Sequence, residues 1–288
     1  MVGACYYELP PVADIAGNDQ GASGGGGSGG TTSSGQAGMG MGGASSASTS
    51  SGQGGAGNGG ASATSSSSNG ASTSTSSGGA PNPAVFVQVA FATPQVNQTT
   101  AQATYSKAQT AGNTNILAIG WNDVTSTLSS VADTAGNVYQ QALGPFKSTS
   151  MSQAIYYASN IAATQSGQNN VIVTFSAAAE FIDLRITEYS GLSDTNPVDS
   201  GISKAGKGLI ANTDAITTTG PVELLFAAGM TRGSFTGPGV GFTKRVITSP
   251  DGDIVQDRIA FVPGLASASA PLTDSEWLLQ LVAFRPAP

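Results

Sequence analysis

The chain of 288 residues contains no histidine and a single cysteine, Cys5. Without an imidazole, neither a Ser-His-Asp triad nor a Cys-His nucleophile pair can be assembled. Zinc sites draw on Cys and His in nearly every case, so ordinary zinc chemistry is not expected. One cysteine also leaves no intrachain disulfide. Charge is scarce, at 9% of residues against roughly a quarter in an average globular domain. Lys and Arg number 10 against 17 Asp and Glu, for a net charge of −7. The first base is Lys107, and Glu8, Asp14 and Asp19 are the only charges before it. No basic patch is there to neutralise phosphates, so nucleic acid is not an expected partner. The acidic balance also argues against electrostatic docking on anionic lipid. No run of about 20 apolar residues is long enough to span a bilayer.

What the chain does have is unevenly distributed. Residues 17–82 are almost entirely Gly, Ser, Ala, Thr, Asn and Gln, with no aromatic residue and Asp19 as the sole charge. Such a segment cannot bury enough apolar surface to offset the entropy of ordering, and a disordered stalk is expected. At roughly 5–6 Å × √n, a coil of this length spans about 40–50 Å, and fully extended roughly 220 Å. Ahead of it stands Met1-Val2-Gly3-Ala4-Cys5. An aliphatic residue, two small residues and a cysteine resemble the lipobox of bacterial lipoproteins, in which the thiol accepts diacylglycerol. This reading makes Cys5 the lipidation site and residues 1–16 a residual signal and anchor region. It expects a basic-then-apolar segment in frame upstream of Met1. Acyl chains stabilise membrane attachment by about 0.8 kcal/mol per buried CH₂. The expected partner is therefore a membrane reached through a lipid anchor, and the expected location is the bacterial cell envelope, as an outer-membrane lipoprotein or outside the cell.

From residue 83 to 288 the texture changes. Short runs rich in Val, Ile, Phe, Tyr and Thr recur every 10–15 residues between Gly, Asn, Asp, Pro and Ser, which is the signature of successive strands. Candidate strands cover 85–92, 101–106, 115–121, 128–133, 138–143, 151–158, 170–176, 181–189, 223–230, 242–247, 253–261 and 277–285. Residues 152–164 are the only stretch that could be read as a helix. Phe181 to Thr187 alternates, so Ile182, Leu184 and Ile186 are expected to face a core and Asp183, Arg185 and Thr187 water. Two runs, 116–119 and 278–282, are apolar on both faces and predict central or covered strands. Thr134-Ala135-Gly136-Asn137 reads as a hairpin turn. The whole predicts an all-β, antiparallel two-sheet β-sandwich of jelly-roll type.

Several segments carry a resemblance. They are Ser130 to Tyr139, Glu188-Tyr189-Ser190-Gly191-Leu192 with Asn196-Pro197-Val198-Asp199, Glu223 to Gly229, Ile247 to Asp253, and the closing strand from Trp277 to Arg285. Together they resemble a widespread, functionally uncharacterised β-sandwich module of bacterial secreted and surface proteins. The resemblance implies the fold and an extracellular setting, and it implies no catalytic residues.

Carboxylates are the remaining source of chemistry. Glu180, Asp183, Glu188, Glu223 and Glu276 fall in or beside strands, and a sandwich glycosidase uses two carboxylates about 5–9 Å apart. No paired motif such as Glu-x-Asp-x-Glu accompanies them, and they read as surface or strand-end charges. Calcium, which takes six to eight oxygen ligands, has its best candidate ligands in Asp251, Asp253 and Asp257, with a second oxygen-rich loop at Asp194, Asn196 and Asp199. Neither loop completes an EF-hand, and Asp and Asn are ordinary turn formers. The glycine runs at 206–208 and 237–241 lack the strand, helix and Lys-Ser/Thr of a phosphate loop and read as plain loops. Trp121, Tyr139, Tyr157, Phe235 and Trp277 are large aromatics that could stack on sugar rings, although apolar neighbours place Trp121 and Trp277 in the core. These features predict a non-enzymatic binding or adhesion module whose partner is carbohydrate or another surface protein. The alternatives are a carboxylate-dependent glycan hydrolase and a structural surface module with no specific ligand.

Overall fold

A computed structural model describes residues 81–288. Cys5, and all but the last two residues of 17–82, lie outside the described residues. Fifteen strands and no helix make up the described part: β1 (Val85–Ala92), β2 (Gln98–Thr104), β3 (Thr114–Trp121), β4 (Leu128–Asp133), β5 (Gln140–Lys147), β6 (Ser152–Ala158), β7 (Asn170–Ala179), β8 (Asp183–Ser190), β9 (Val198–Asn212), β10 (Ile216–Thr218), β11 (Glu223–Thr231), β12 (Thr243–Ile247), β13 (Ile254–Ala260), β14 (Gly264–Ala266) and β15 (Ser269–Phe284). Every strand pairing is antiparallel.

The strands form two five-stranded sheets, β1-β8-β3-β6-β5 and β12-β13-β11-β15-β9, a three-stranded sheet β2-β7-β4 and a two-stranded ribbon β10-β14. The two large sheets pack face to face through Ile116, Ala118, Ile155 and Tyr189 on one side and Leu224, Phe226, Val282 and Phe284 on the other. Edge-to-face rings run through this interface, with Phe86 to Tyr189 at 5.7 Å, Tyr189 to Phe226 at 6.3 Å and Phe226 to Phe284 at 6.5 Å between centroids. Each outer face is then covered. The sheet β2-β7-β4 closes over Leu117, Ile119, Trp121, Leu184 and Ile186. The ribbon and the segments beside it close over Leu225, Ala227, Leu279 and Leu281. The central strands β3 and β11 are buried at every position, which explains why 116–119 is apolar on both faces. Burying a Leu, Ile or Phe side chain stabilises by about 1.5–3 kcal/mol, and here both faces of one strand collect that gain.

The strand order occurs twice. In the first half it is 1-8-3-6-5 facing 2-7-4; in the second it is 9-15-11-13-12 facing 10-14. Substituting β9, β10, β11, β12, β13, β14 and β15 for β1, β2, β3, β5, β6, β7 and β8 reproduces the first pattern. Among the described residues only β4 has no counterpart in the second half. The order 1-8-3-6 against 2-7-4, with consecutive strands crossing between sheets, is that of a jelly roll. Residues 81–288 thus form two jelly-roll units packed back to back.

Several local expectations are corrected. Asp183, Arg185 and Thr187 are fully buried, because the face that alternation assigns to water is the face that meets the second large sheet. Residues 134–137 form a turn with Gly136 at φ +78°, but it passes the chain from one sheet to another, since β4 pairs with β7 and β5 with β6. Gly206, Lys207 and Gly208 lie within β9 and not in a loop. Residues 152–158 are strand.

Candidate functional site

At one end of the packed pair of large sheets the chain opens a cleft of about 280 Å³. Its walls come from four strand ends far apart in sequence. Asn122 follows β3, Phe181 precedes β8, Thr231 and Arg232 close β11, and Pro250, Asp251 and Asp253 lie in the turn between β12 and β13. That turn is held shut by Thr248 N donating to Asp253 O (2.8 Å) and Gly252 N donating to Thr248 O (3.0 Å). Gly252 has φ +76°, and a Cβ there would lie 2.7 Å from Ser234 Cα, so only glycine fits. Phe181 has φ +42°, a left-handed conformation that costs a bulky residue of order 1–3 kcal/mol, and the residue is 37% exposed in the lining of the cleft.

Behind the cleft lies a buried charge cluster. Arg185 is fully buried: Nη1 donates to Gly229 O (2.8 Å) and Ile254 O (2.9 Å), Nη2 to Gln153 Oε1 (2.9 Å), and Nε forms an ion pair with Asp183 Oδ1 at 2.7 Å. Thr248 Oγ1 donates to Asp183 Oδ2 (2.6 Å), and Thr231 N donates to Asp253 Oδ1 (2.9 Å). Burial pushes the carboxyls of Asp183 and Asp253 above the usual range, and the Asp183 charge adds to the rise at Asp253, while Arg185 opposes it at both. Two donors are directed at Asp183, Arg185 Nε and Thr248 Oγ1. Asp251 accepts from Gln95 Nε2 (2.7 Å), and burial raises its carboxyl as well. Its other oxygen and Asn122 Oδ1 are buried acceptors with no donor. Each unpaired buried acceptor costs about 1–3 kcal/mol, and both belong to residues that line the cleft.

The remaining predicted residues fall elsewhere. Asp257 pairs with Arg245 (2.7 and 2.8 Å) and accepts from the Tyr189 hydroxyl inside the sandwich, so it does not join Asp251 and Asp253. In the second oxygen-rich loop the Arg285 guanidinium donates to Asn196 O, Val198 O and Asp199; Asp194 stands exposed. A guanidinium therefore sits at a carboxylate of each proposed calcium loop, and among the described residues no three His, Cys, Asp or Glu side chains are grouped to hold a metal ion. Asp183, Glu188 and Glu223 are buried, not surface charges. Glu188 accepts from Gln88, Asn113 and Thr110 at the opposite end of β8 from the cleft, and Glu276 from Ser148 and Ser150. Glu180 is partly exposed and its backbone N–H donates to Asp123 Oδ2 (3.2 Å). Trp121, Tyr157, Phe235 and Trp277 are buried and Tyr139 half-buried with its hydroxyl on Asp133, so none of the five offers a stacking face. Phe181 does. It sits in a strand-like run, and only its backbone conformation and place in the cleft lining distinguish it.

Scans of family models, of curated proteins and of solved structures each find no match to the chain.

Proposed function

We propose that residues 81–288 form a non-enzymatic recognition head that binds a neutral or amino sugar of a surface glycan in the Phe181 cleft. The observation that carries this reading is the pairing of an exposed aromatic in a strained backbone with unpaired acceptors in one cleft. A pyranose has an apolar C–H face for an aromatic ring and hydroxyls that donate to acceptors such as Asn122 Oδ1 and Asp251 Oδ2; a few placed polar groups in a concave site fix orientation. The guanidinium of Arg232, which lines the cleft, supplies a donor for ring oxygens. The setting that fits this role is display outside a bacterial cell on lipidated Cys5 and the 17–82 tether, supported by the sequence Val2-Gly3-Ala4-Cys5 and by the composition of the segment that follows.

A second reading, a carboxylate-dependent glycan hydrolase, has one observation in its favour: Asp253 lines the cleft with its proton affinity raised, as a general acid requires. Its neighbour Asp183 is committed to Arg185 and Thr248, which suits orientation of Asp253 better than nucleophilic or base duty. The test is a glycan array probed with the full chain and with Phe181→Ala. Binding that the variant loses by tenfold or more supports recognition. Release of reducing ends from a bound glycan, abolished by Asp253→Asn, would transfer the assignment to the hydrolase. No bound glycan on the array would overturn both.

A further inference from the structure

The repeated strand order makes a prediction about the cleft itself. The Phe181 cleft forms where the β12–β13 turn of the second half meets the first half: Thr93 Oγ1, just past β1, donates to Ser249 O (3.1 Å), Gln95 Nε2 donates to Asp251, and Thr248 donates to Asp183 at the start of β8. The equivalents of β12–β13, β1 and β8 are β5–β6, β9 and β15. If the two halves are related as their topology says, the turn between β5 and β6 should meet β9 and the early part of β15 and leave a second cleft there. It does. Ser148 and Thr149 of that turn, Gly206 and Lys207 of β9 and Glu276 of β15 enclose about 270 Å³, and Ser148 and Ser150 donate to Glu276 at 3.0 and 2.9 Å. The residues immediately after the equivalent strands β3 and β11 are Asn122 and Arg232, and they meet between the clefts. Arg232 Nη2 donates to Asn122 O (3.2 Å), while the same guanidinium donates to Ser150 Oγ (3.1 Å) and Ser150 O (3.0 Å). One arginine is thus tied to both walls.

We infer that the cleft of Ser148, Thr149, Gly206, Lys207 and Glu276 is a second sugar subsite, so that this end of the head takes two separated units of one glycan chain across Arg232. The inference rests on the sugar-binding reading of the Phe181 cleft and adds the chain length of the ligand. Its polar lining of hydroxyls, an exposed ammonium and a carboxylate suits hydroxyl- and amide-bearing units of the same kind. A chain that reaches both subsites binds the second intramolecularly, and affinity rises by about 10²–10⁴ over a short fragment.

The probes are cello- and chito-oligosaccharides of two to six units, titrated calorimetrically into the full chain. Three variants accompany it: Phe181→Ala in the first cleft, and Thr149→Trp or Lys207→Ala, at exposed positions of the second. The expected result is at least a hundredfold gain in affinity between the dimer and the hexamer, lost in Phe181→Ala and equally in Thr149→Trp, with a weaker loss in Lys207→Ala. The dimer should keep its affinity in Thr149→Trp, which leaves the first cleft intact. Hexamer binding that needs Phe181 but is indifferent to both second-cleft variants would overturn the second subsite and leave the first standing. No binding of either series by the parent chain would overturn both.

Discussion

Replacing Arg185 with Met should be the most damaging single change in the head. The side chain is fully buried and donates to two backbone carbonyls of the second half and to Gln153, with Asp183 against its Nε. It is the main polar tie between the two jelly-roll units. Methionine fills most of its volume but leaves the Asp183 carboxylate without its cation and three oxygens without a donor. Removing one partner of a buried pair costs about 3–5 kcal/mol. For a domain of this size each kcal/mol moves the melting temperature by about 2–4 °C, so a fall of about 6–20 °C is expected. Guanidinium denaturation of the full chain measures it directly. Adding Asp183→Asn to the Met variant should recover part of the loss, because the residual buried group is then neutral, and the double-mutant cycle should show coupling well above 1 kcal/mol. A single-variant loss below about 1 kcal/mol, or additive losses, would refute the claim that this cluster pins the halves together.

Three further outcomes follow from the same geometry. Burial raises the Asp253 carboxyl above its unfolded value of about 3.9, so the folded state holds an extra proton between that value and the raised one, and this group's contribution to stability falls as pH rises through the window. Asp123 and Asp199, whose carboxyls are held below the usual range by hydrogen bonds, act oppositely, losing stability as pH falls below about 4. Asp253→Asn should therefore leave stability at pH 4 nearly unchanged and flatten its decline toward pH 8 in urea titrations; parallel pH profiles for parent and variant would contradict this. Phe181→Gly relieves the left-handed backbone and should raise stability by about 1 kcal/mol while abolishing glycan binding, and a loss of stability would show the conformation is unstrained. Gly252→Ala must displace Ser234 or the turn, costing about 1–3 kcal/mol in thermal melts; no cost would mean the turn is not held as described.

Much of the fold was legible before the structure. The recurrent β-branched runs located most of the strands, and the two doubly apolar runs correctly marked covered strands. Alternation failed at Asp183, Arg185 and Thr187 because polarity was taken to mean water; inside the sandwich Arg185 pairs with Asp183 and donates to Gly229 O, Ile254 O and Gln153, Thr248 donates to Asp183, and Thr187 Oγ1 donates to Ile116 O. The 15-residue β9 went unseen because an edge strand opposite Trp277 needs small residues, and a Cβ at Gly206 would lie 2.5 Å from that ring. The repeated order left little trace in sequence. Asn82-Pro83 matches Asn196-Pro197 ahead of β1 and β9, and Gly112 with Ile116-Leu117 matches Gly220 with Leu224-Leu225 around β3 and β11. Elsewhere packing preserves volume and face, not residue identity. The cleft was least legible, since Asn122, Phe181, Arg232 and Asp251 share no spacing and meet only because four strand ends converge. Asp251 and Asp253 stood out as a pair in the sequence, but their structural partner is Asp183, not Asp257.

The most direct test of the glycan-recognition account is a crystal structure of the full chain soaked with chitotetraose or cellotetraose. The account predicts a pyranose stacked on Phe181 with its hydroxyls within hydrogen-bonding distance of Asn122 Oδ1 and Asp251 Oδ2, the chain running past Arg232. An empty Phe181 cleft, or sugar bound only elsewhere on the head, would contradict it.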